Sequence, residues 1–230
     1  MIPGITAGQM LERDPHWANV VALLHFDGTA GSTTFTDLKG KTWSPVGNAQ
    51  LSTTSQKFGT ACLLLDGNGD GVSTPTHVDF EFGSGDFTIE FFFRPAAAAS
   101  AIVALFERWN VYGVYMNATA DGRVYAGAQN SSSGNKSVVE AVSTWTAGTW
   151  AHLAFVRSGS NLMLFKDGVL LGTATGFVGA IDAISEAPAL GYDNSGVRHF
   201  NGRIDEFRIT KGVARYTVSF TPPGAPFPNS

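Results

Sequence analysis

The stretch Phe87-Thr88-Ile89-Glu90-Phe91-Phe92-Phe93-Arg94 decides how the chain is to be read. Phe87, Ile89, Phe91 and Phe93 fall on one face, with Thr88, Glu90 and Arg94 on the other. A period of two marks a half-buried β-strand, because successive side chains leave a strand on opposite sides. Phe92 interrupts the polar face. A ring there marks either a contact surface or a strand covered by a second layer.

Similar short runs rich in Thr, Val and Phe lie on both sides of this strand. They are Val20–Asp27, Ala61–Asp66, Ile102–Glu107, Val111–Asn117, Arg123–Ala128, Trp150–Arg157, Leu162–Asp167, Val169–Thr175 and Phe200–Thr210. Asp66-Gly67, Asp121-Gly122 and Asp167-Gly168 supply turns between them, since Asp-Gly pairs favour positive φ. The clearest hairpin runs Leu162–Phe165, Lys166-Asp167-Gly168, Val169–Leu171. No stretch keeps the helical period for three turns; Gly212–Tyr216 suggests a single turn of helix. Many short strands without intervening helices predict an all-β fold, a two-sheet antiparallel jelly-roll sandwich rather than βαβ units.

The length of 230 residues fits one large β domain. Charged residues make up only 15% of it, against about 25% in ordinary soluble domains, so Ser, Thr, Asn and Gly must supply the polar surface. The 15 basic and 19 acidic residues give a net charge of -4, with no basic stripe for phosphate, which excludes a nucleic-acid partner. Cys62 is the sole cysteine, so neither an internal disulfide nor a CxxC zinc site can form, and Ala61-Cys62-Leu63-Leu64-Leu65 reads as core. No basic-then-apolar leader is visible at Met1-Ile2-Pro3-Gly4, and no apolar run approaches the ~20 residues of a membrane span. No membrane partner is expected.

Both ends differ from the middle. Residues 1–19 lack strand alternation and read as an N-terminal arm. The tail over 217–230 contains Thr221-Pro222-Pro223-Gly224-Ala225-Pro226-Phe227-Pro228, which cannot enter a ladder and should be extended. The domain proper is then 20–216. The two ends are either disordered or arms that dock on neighbouring subunits. Ser131-Ser132-Ser133-Gly134-Asn135 reads as a loop tip.

Six segments, in order, resemble a known family. They are His25-Phe26-Asp27-Gly28; Lys57-Phe58-Gly59 with Leu65-Asp66-Gly67-Asn68-Gly69-Asp70; Gly85-Asp86-Phe87-Thr88-Ile89-Glu90-Phe91; Trp150-Ala151-His152-Leu153-Ala154-Phe155-Val156-Arg157; Leu164-Phe165-Lys166-Asp167-Gly168; and Phe200-Asn201-Gly202-Arg203-Ile204-Asp205-Glu206-Phe207-Arg208-Ile209. Together they resemble the laminin G-like branch of the concanavalin A-like lectin/glucanase superfamily, over about 20–216. That resemblance implies a two-sheet antiparallel jelly roll. The ending Thr210-Lys211-Gly212-Val213-Ala214-Arg215-Tyr216, followed by Phe220-Thr221-Pro222-Pro223, resembles variants in tailed-phage virion proteins. One departure is Gly71, where the family often carries an aromatic ring after Gly69-Asp70.

The laminarinase-type members of the superfamily carry Glu-x-Asp-x-x-Glu on one strand, which sets acid and nucleophile on one face. Here Glu-x-Asp occurs only as Glu12-Arg13-Asp14, in the N-terminal arm, with Trp17 where the second Glu belongs. No G-x-S-x-G elbow or HExxH occurs either. The chain is therefore not expected to be an enzyme. Asp66-Gly67-Asn68-Gly69-Asp70-Gly71 matches half of an EF-hand loop, but His77 at the twelfth position cannot give bidentate oxygen ligation. A glycine turn with Asn and Asp caps is the simpler reading.

Related glucanases hold a structural calcium between their first and last strands, and the resemblance carries that Ca²⁺ to Asp27 and Asp205. Asp205 shares strand parity with Phe207 and Ile209, and a buried carboxylate needs a partner: Arg203, or a hard cation. His152 alternates with Trp150 and Ala154 and reads as a satisfied core histidine. Carbohydrate binding needs rings to stack on C–H faces and a few fixed polar groups. Trp109, Asn110, Tyr112, Asn130, Tyr192, Asp193, Asn194 and His199 lie in loop-like segments and are the candidates, with core or interface packing as the alternative for Trp109 and Tyr112.

The expectation is a non-catalytic structural component of a bacteriophage virion, a capsid decoration or tail- or fibre-associated protein, whose lectin-like domain binds host-surface glycans. Its partners would be other virion proteins, reached through the N-terminal arm and C-terminal tail. It would be a homo-oligomer, with a trimer favoured by analogy, located in the virion after synthesis in the host cytoplasm. The alternatives are a calcium-dependent carbohydrate-binding lectin outside any virion and, remotely, a glycoside hydrolase.

Overall fold

The computed structural model describes residues 13–97, 102–108, 111–116, 123–130, 134–142 and 145–230. Its strands in chain order are β1 (Val20–Leu24), β2 (Ser44–Val46), β3 (Gln50–Ser52), β4 (Cys62–Asp66), β5 (Gly71–Ser73), β6 (Phe87–Pro95), β7 (Val103–Arg108) and β8 (Tyr112–Met116). They continue with β9 (Arg123–Asn130), β10 (Gly134–Val142), β11 (Ala151–Ser158), β12 (Asn161–Lys166), β13 (Val169–Ala174), β14 (Ala189–Leu190) and β15 (Asn201–Lys211). All pairings are antiparallel. One sheet runs β13-β12-β11-β6-β15-β4-β3, with β1 also on β15, and the other runs β10-β9-β8-β7-β14-β5-β2. This is the expected two-sheet sandwich.

The inner faces follow the alternation read from sequence. Phe87, Ile89, Phe91 and Phe93 on β6 meet Leu153 and Phe155 on β11 and Phe207 and Ile209 on β15 in one core. Facing them from the second sheet are Phe106, Tyr112, Val114, Val124 and Ala126. Burying such side chains is worth about 1.5–3 kcal/mol each, so the core needs no staples.

The outer face of the eight-stranded sheet carries a second apolar layer. Phe92 is buried there against Val20, Leu23 and Phe227, with Trp17, Phe58 and Trp150 at its margin. Beside it Ala154, Val156, Met163 and Phe165 are covered by Ala214, Tyr216 and Phe220. The apolar residue on the polar side of β6 therefore marks a covered strand. The cover comes largely from the C-terminal segment. Phe227 is tucked in, Tyr216 and Phe220 stack at 3.6 Å, and the Asp14 N–H donates to the Ser230 carbonyl at 2.7 Å.

Two expectations change at the ends. The tail is extended and outside any ladder, but it lies on its own sheet rather than standing free for a neighbour. Asp14 and the 3-10 turn Trp17–Asn19 pack there as well, and residues 1–12 lie outside the described residues. The segment 212–216 forms no helical turn.

Buried under this cover is an ionic cluster. Arg208 donates from Nε and Nη2 to Glu90 Oε1, and from Nη1 to Asp14 Oδ2. Arg215 grips both Asp14 oxygens, at 3.0 and 2.7 Å. Tyr216 donates to Glu90 Oε2, and His152 Nε2 lies 3.3 Å from the same oxygen. Burial alone would raise the Glu90 carboxyl, but Arg208, His152 and Arg215 outweigh it and hold Glu90 at about 2. The Asp14 of the single Glu-x-Asp is thus a structural ion-pair partner.

Candidate functional site

Among the described residues, the outer face of the seven-stranded sheet is less covered. On β9, Val124, Ala126 and Ala128 point inward, which leaves half-buried Arg123, Tyr125, Gly127 and Gln129 outside. Tyr115 on β8 is paired directly with Tyr125 on β9, and their rings stack at 5.0 Å and 14°. Gly113 makes room for this: a Cβ there would stand 2.8 Å from Tyr115 Cε2, so the ring lies across the glycine toward β7. There the Tyr115 hydroxyl donates to Glu107 Oε2 at 2.7 Å.

A rim loop over 191–199 borders this face. β14 delivers it beside Glu107, since Ala189 pairs with Glu107 in the ladder. Asp193 is buried and organises the loop, accepting from Ser195 Oγ at 2.6 Å and from the Val197 and Arg198 N–H groups at 3.1 Å. Arg198 Nη1 is 3.4 Å from Asp193 Oδ2, the oxygen that also accepts from Ser195. Tyr192 stacks parallel to His199 at 6.2 Å. The Tyr192 ring lies over Gly71, where a Cβ would come within 2.0 Å of Cδ1. The aromatic ring that Gly71 omits is thus supplied from across the sheet by Tyr192.

The sequence-derived candidates divide accordingly. Tyr192 and His199 are half-buried, adjacent and open at the rim. Asn194 sits with them, its side chain donating to the Ala187 carbonyl. Asp193 belongs to the loop but serves as its internal anchor. Tyr112 is corrected to a core residue, 2% exposed, with its hydroxyl on the Phe80 carbonyl at 3.0 Å. Asn130 is likewise buried and ties β9 to the Val178 carbonyl at 2.7 Å. Tyr112 opens β8 and Asn130 closes β9. Trp109 and Asn110 lie outside the described residues.

Glu107, Tyr115 and Tyr125 were missed, although the alternation of their strands was readable. Tyr115 and Tyr125 each follow an inward valine, Val114 and Val124, and so had to face out.

Glu107 and Asp193 have opposite protonation tendencies. Burial pushes the Glu107 carboxyl up to about 7, and the Asp193 charge adds to this, against the Tyr115 hydroxyl. Burial works against Asp193 ionisation too, yet Ser195 and the two loop N–H groups hold it below its ordinary value. A carboxyl pair of this kind is the signature of an acid and a nucleophile. Here the ionised member is buried and bonded into its own loop, so it is not placed to attack a substrate. The face can grip a ligand by ring stacking and hydrogen bonds.

The residues proposed for calcium both accept hydrogen bonds from within the chain. Asp205 lies at a β-bulge, where Glu206 takes φ 53° and the register slips between Asp205 and Arg208. The bulge reverses the parity assumed from sequence: Ile204, not Asp205, joins Phe207 and Ile209 in the core. Asp205 pairs across to outward Phe92 instead. Its Oδ2 accepts from the Lys57 and Phe58 N–H groups at 2.8 and 3.2 Å, and its Oδ1 from the Glu206 N–H at 2.9 Å. Three backbone donors occupy the lone pairs a cation would use, and Arg203 is not the partner. Burial, reinforced by Glu206, still pushes this carboxyl up to about 8. Asp27 is exposed and accepts the N–H and hydroxyl of Thr60.

Comparison with known proteins agrees with this architecture. The family model Laminin_G_3, described as concanavalin A-like lectin/glucanases superfamily, matches residues 66–215. No curated protein matches the chain. Among solved structures, the binding domain of Paraclostridial Mosquitocidal Protein 1 is similar with a TM-score of 0.65 and 15% identity, over 86% of this chain and 50% of that one. Domain 4 of AbnA, a GH43 extracellular arabinanase from Geobacillus stearothermophilus, in complex with arabinotriose, gives 0.64 and 17%, over 85% of this chain and 94% of that one. The botulinum neurotoxin serotype D binding domain gives 0.63 and 12%, over 86% and 49%. The chain thus spans about half of either toxin domain and nearly all of the arabinanase domain.

Proposed function

The chain belongs to the concanavalin A-like lectin/glucanases superfamily, and from that membership we propose that it is a non-catalytic domain that binds glycans on the outer face of its seven-stranded sheet. The observation that carries this is the Tyr115–Tyr125 stack, half-buried, with a second stack of Tyr192 and His199 in the rim loop. Tyrosine offers a flat apolar face with a polar edge, which suits a sugar's C–H face and hydroxyls. The similarity to an arabinanase domain in complex with arabinotriose and to toxin binding domains supports a role in recognition rather than turnover. A glycan array followed by calorimetry tests the reading. Binding lost in Tyr115→Ala or Tyr125→Ala supports it, and a flat array with a folded protein overturns it.

The setting we propose is a bacteriophage virion, as a decoration or tail-associated subunit in a homo-oligomer. The support is the resemblance of Thr210–Pro223 to the corresponding segment of phage virion proteins. Mass spectrometry of purified particles tests it, and absence of the chain from them rejects it.

A further inference from the structure

Glu107 is fully buried on β7, and only one of its oxygens is hydrogen-bonded. Oε2 accepts the Tyr115 hydroxyl, whereas Oε1 has no hydrogen-bond partner. Gly113 stands directly opposite Glu107 in the ladder, and the Tyr115 ring crosses that glycine to reach it. The charged and titratable groups facing the carboxyl are Tyr115 from β8 and Asp193 and Arg198 from the rim loop. Arg198 is already drawn to Asp193, so Tyr115 is the one side chain hydrogen-bonded to Glu107 among the described residues.

We propose that Glu107 is the positioning residue of the tyrosine face: its charge sets how firmly Tyr115 is held and, through Tyr115, how tightly a glycan binds. This rests on the glycan-binding reading above. A hydrogen bond to a carboxylate is about twice as strong as one to a neutral acid, so the ring is held best when Glu107 is ionised. Burial and Asp193 keep Glu107 protonated until about pH 7, so the change falls within an ordinary working range.

The test follows tyrosine-labelled protein by NMR from about pH 5 to 9 without ligand, and arabinotriose binding by calorimetry over the same range. The Tyr115 ring signal should titrate with a midpoint near 7 in the wild type and stay flat in Glu107→Gln. Arabinotriose should bind about fivefold more tightly at the alkaline end in the wild type, with no such slope in Glu107→Gln or Tyr115→Phe. Tyr115→Phe keeps the ring and removes only the hydroxyl, so it serves even if Glu107→Gln folds poorly. A Tyr115 signal that does not titrate, or that titrates alike in Glu107→Gln, overturns the proposal. A midpoint near 7 with no arabinotriose bound and a flat glycan array upholds the coupling between the two residues and rejects the glycan reading instead.

Discussion

Arg208 stands directly opposite Glu90 in the β15–β6 ladder, and its Nε and Nη2 both donate to Glu90 Oε1, at 3.0 and 2.8 Å. Both are buried beneath the C-terminal segment. Removing one partner strands the other charge, so Arg208→Met should lower unfolding free energy by about 3–5 kcal/mol in urea titration. The double variant Glu90→Leu with Arg208→Met should recover much of this. Equal losses in the single and double variants would contradict the ion-pair account.

Phe227 is inserted between Phe92 and the Arg208 guanidinium, whose centre lies 3.8 Å from the ring centroid. Phe227→Ala should cost about 2–4 kcal/mol, a core-like value for a residue three positions before Ser230. A change below about 0.5 kcal/mol would mean that the tail does not pack on the sheet in solution.

The pH dependence has a defined sign. Asp205 and Glu107 are raised to about 8 and about 7, above their unfolded values, so their contributions are full at acid pH and decline as pH rises through those values. Glu90 is held at about 2, so its contribution is present above roughly pH 4.5 and is lost as pH falls toward 2. Stability should therefore peak in mildly acid solution. Asp205→Asn should flatten the alkaline slope while lowering stability overall, because an amide nitrogen would face backbone donors. Thermal melts across the pH range check both.

Calcium should make no difference to folding. The melting temperature after EDTA treatment, and again after adding excess CaCl₂, should agree within about 1 °C. A calcium-dependent rise of several degrees would return a cation to the Asp27 and Asp205 region.

Gly71→Ala should displace the Tyr192 ring, which lies where the new methyl must go. Tyr192 is only half-buried, so the ring can swing aside at a cost of about 1–2 kcal/mol in stability. Glycan affinity should fall more than stability, since the Tyr192–His199 pair is disrupted. Unchanged affinity would remove the rim from the binding face.

β9 was legible because burial on one face imposes the alternation, and β6 because its inner face is wholly apolar while its outer face, though covered too, carries Thr88, Glu90 and Arg94. Strands β2, β3, β5 and β14 span two or three residues and are too short to show a period. The beginning of β10 lay in what read as a loop tip, because Gly134-Asn135 carries turn chemistry that its pairing with β9 overrides. Phe92 left a contact surface and a second layer equally open, and nothing local identified the tail as its cover. The Asp205 parity failed because a bulge inserts a residue that alternation does not reveal. The candidate site suffered from a bias toward loops: Tyr192, Asn194 and His199 were found at the rim, while Tyr115 and Tyr125 were overlooked on regular strands.

The contact between Asp14 and Ser230 brings two distant points of the polypeptide to one spot on the back of the sandwich. A carrier joined through either point would grip the molecule from behind and leave the tyrosines looking outward. Many copies fixed to one scaffold would then present their tyrosine faces in a common direction, so weak individual contacts would add up across an array.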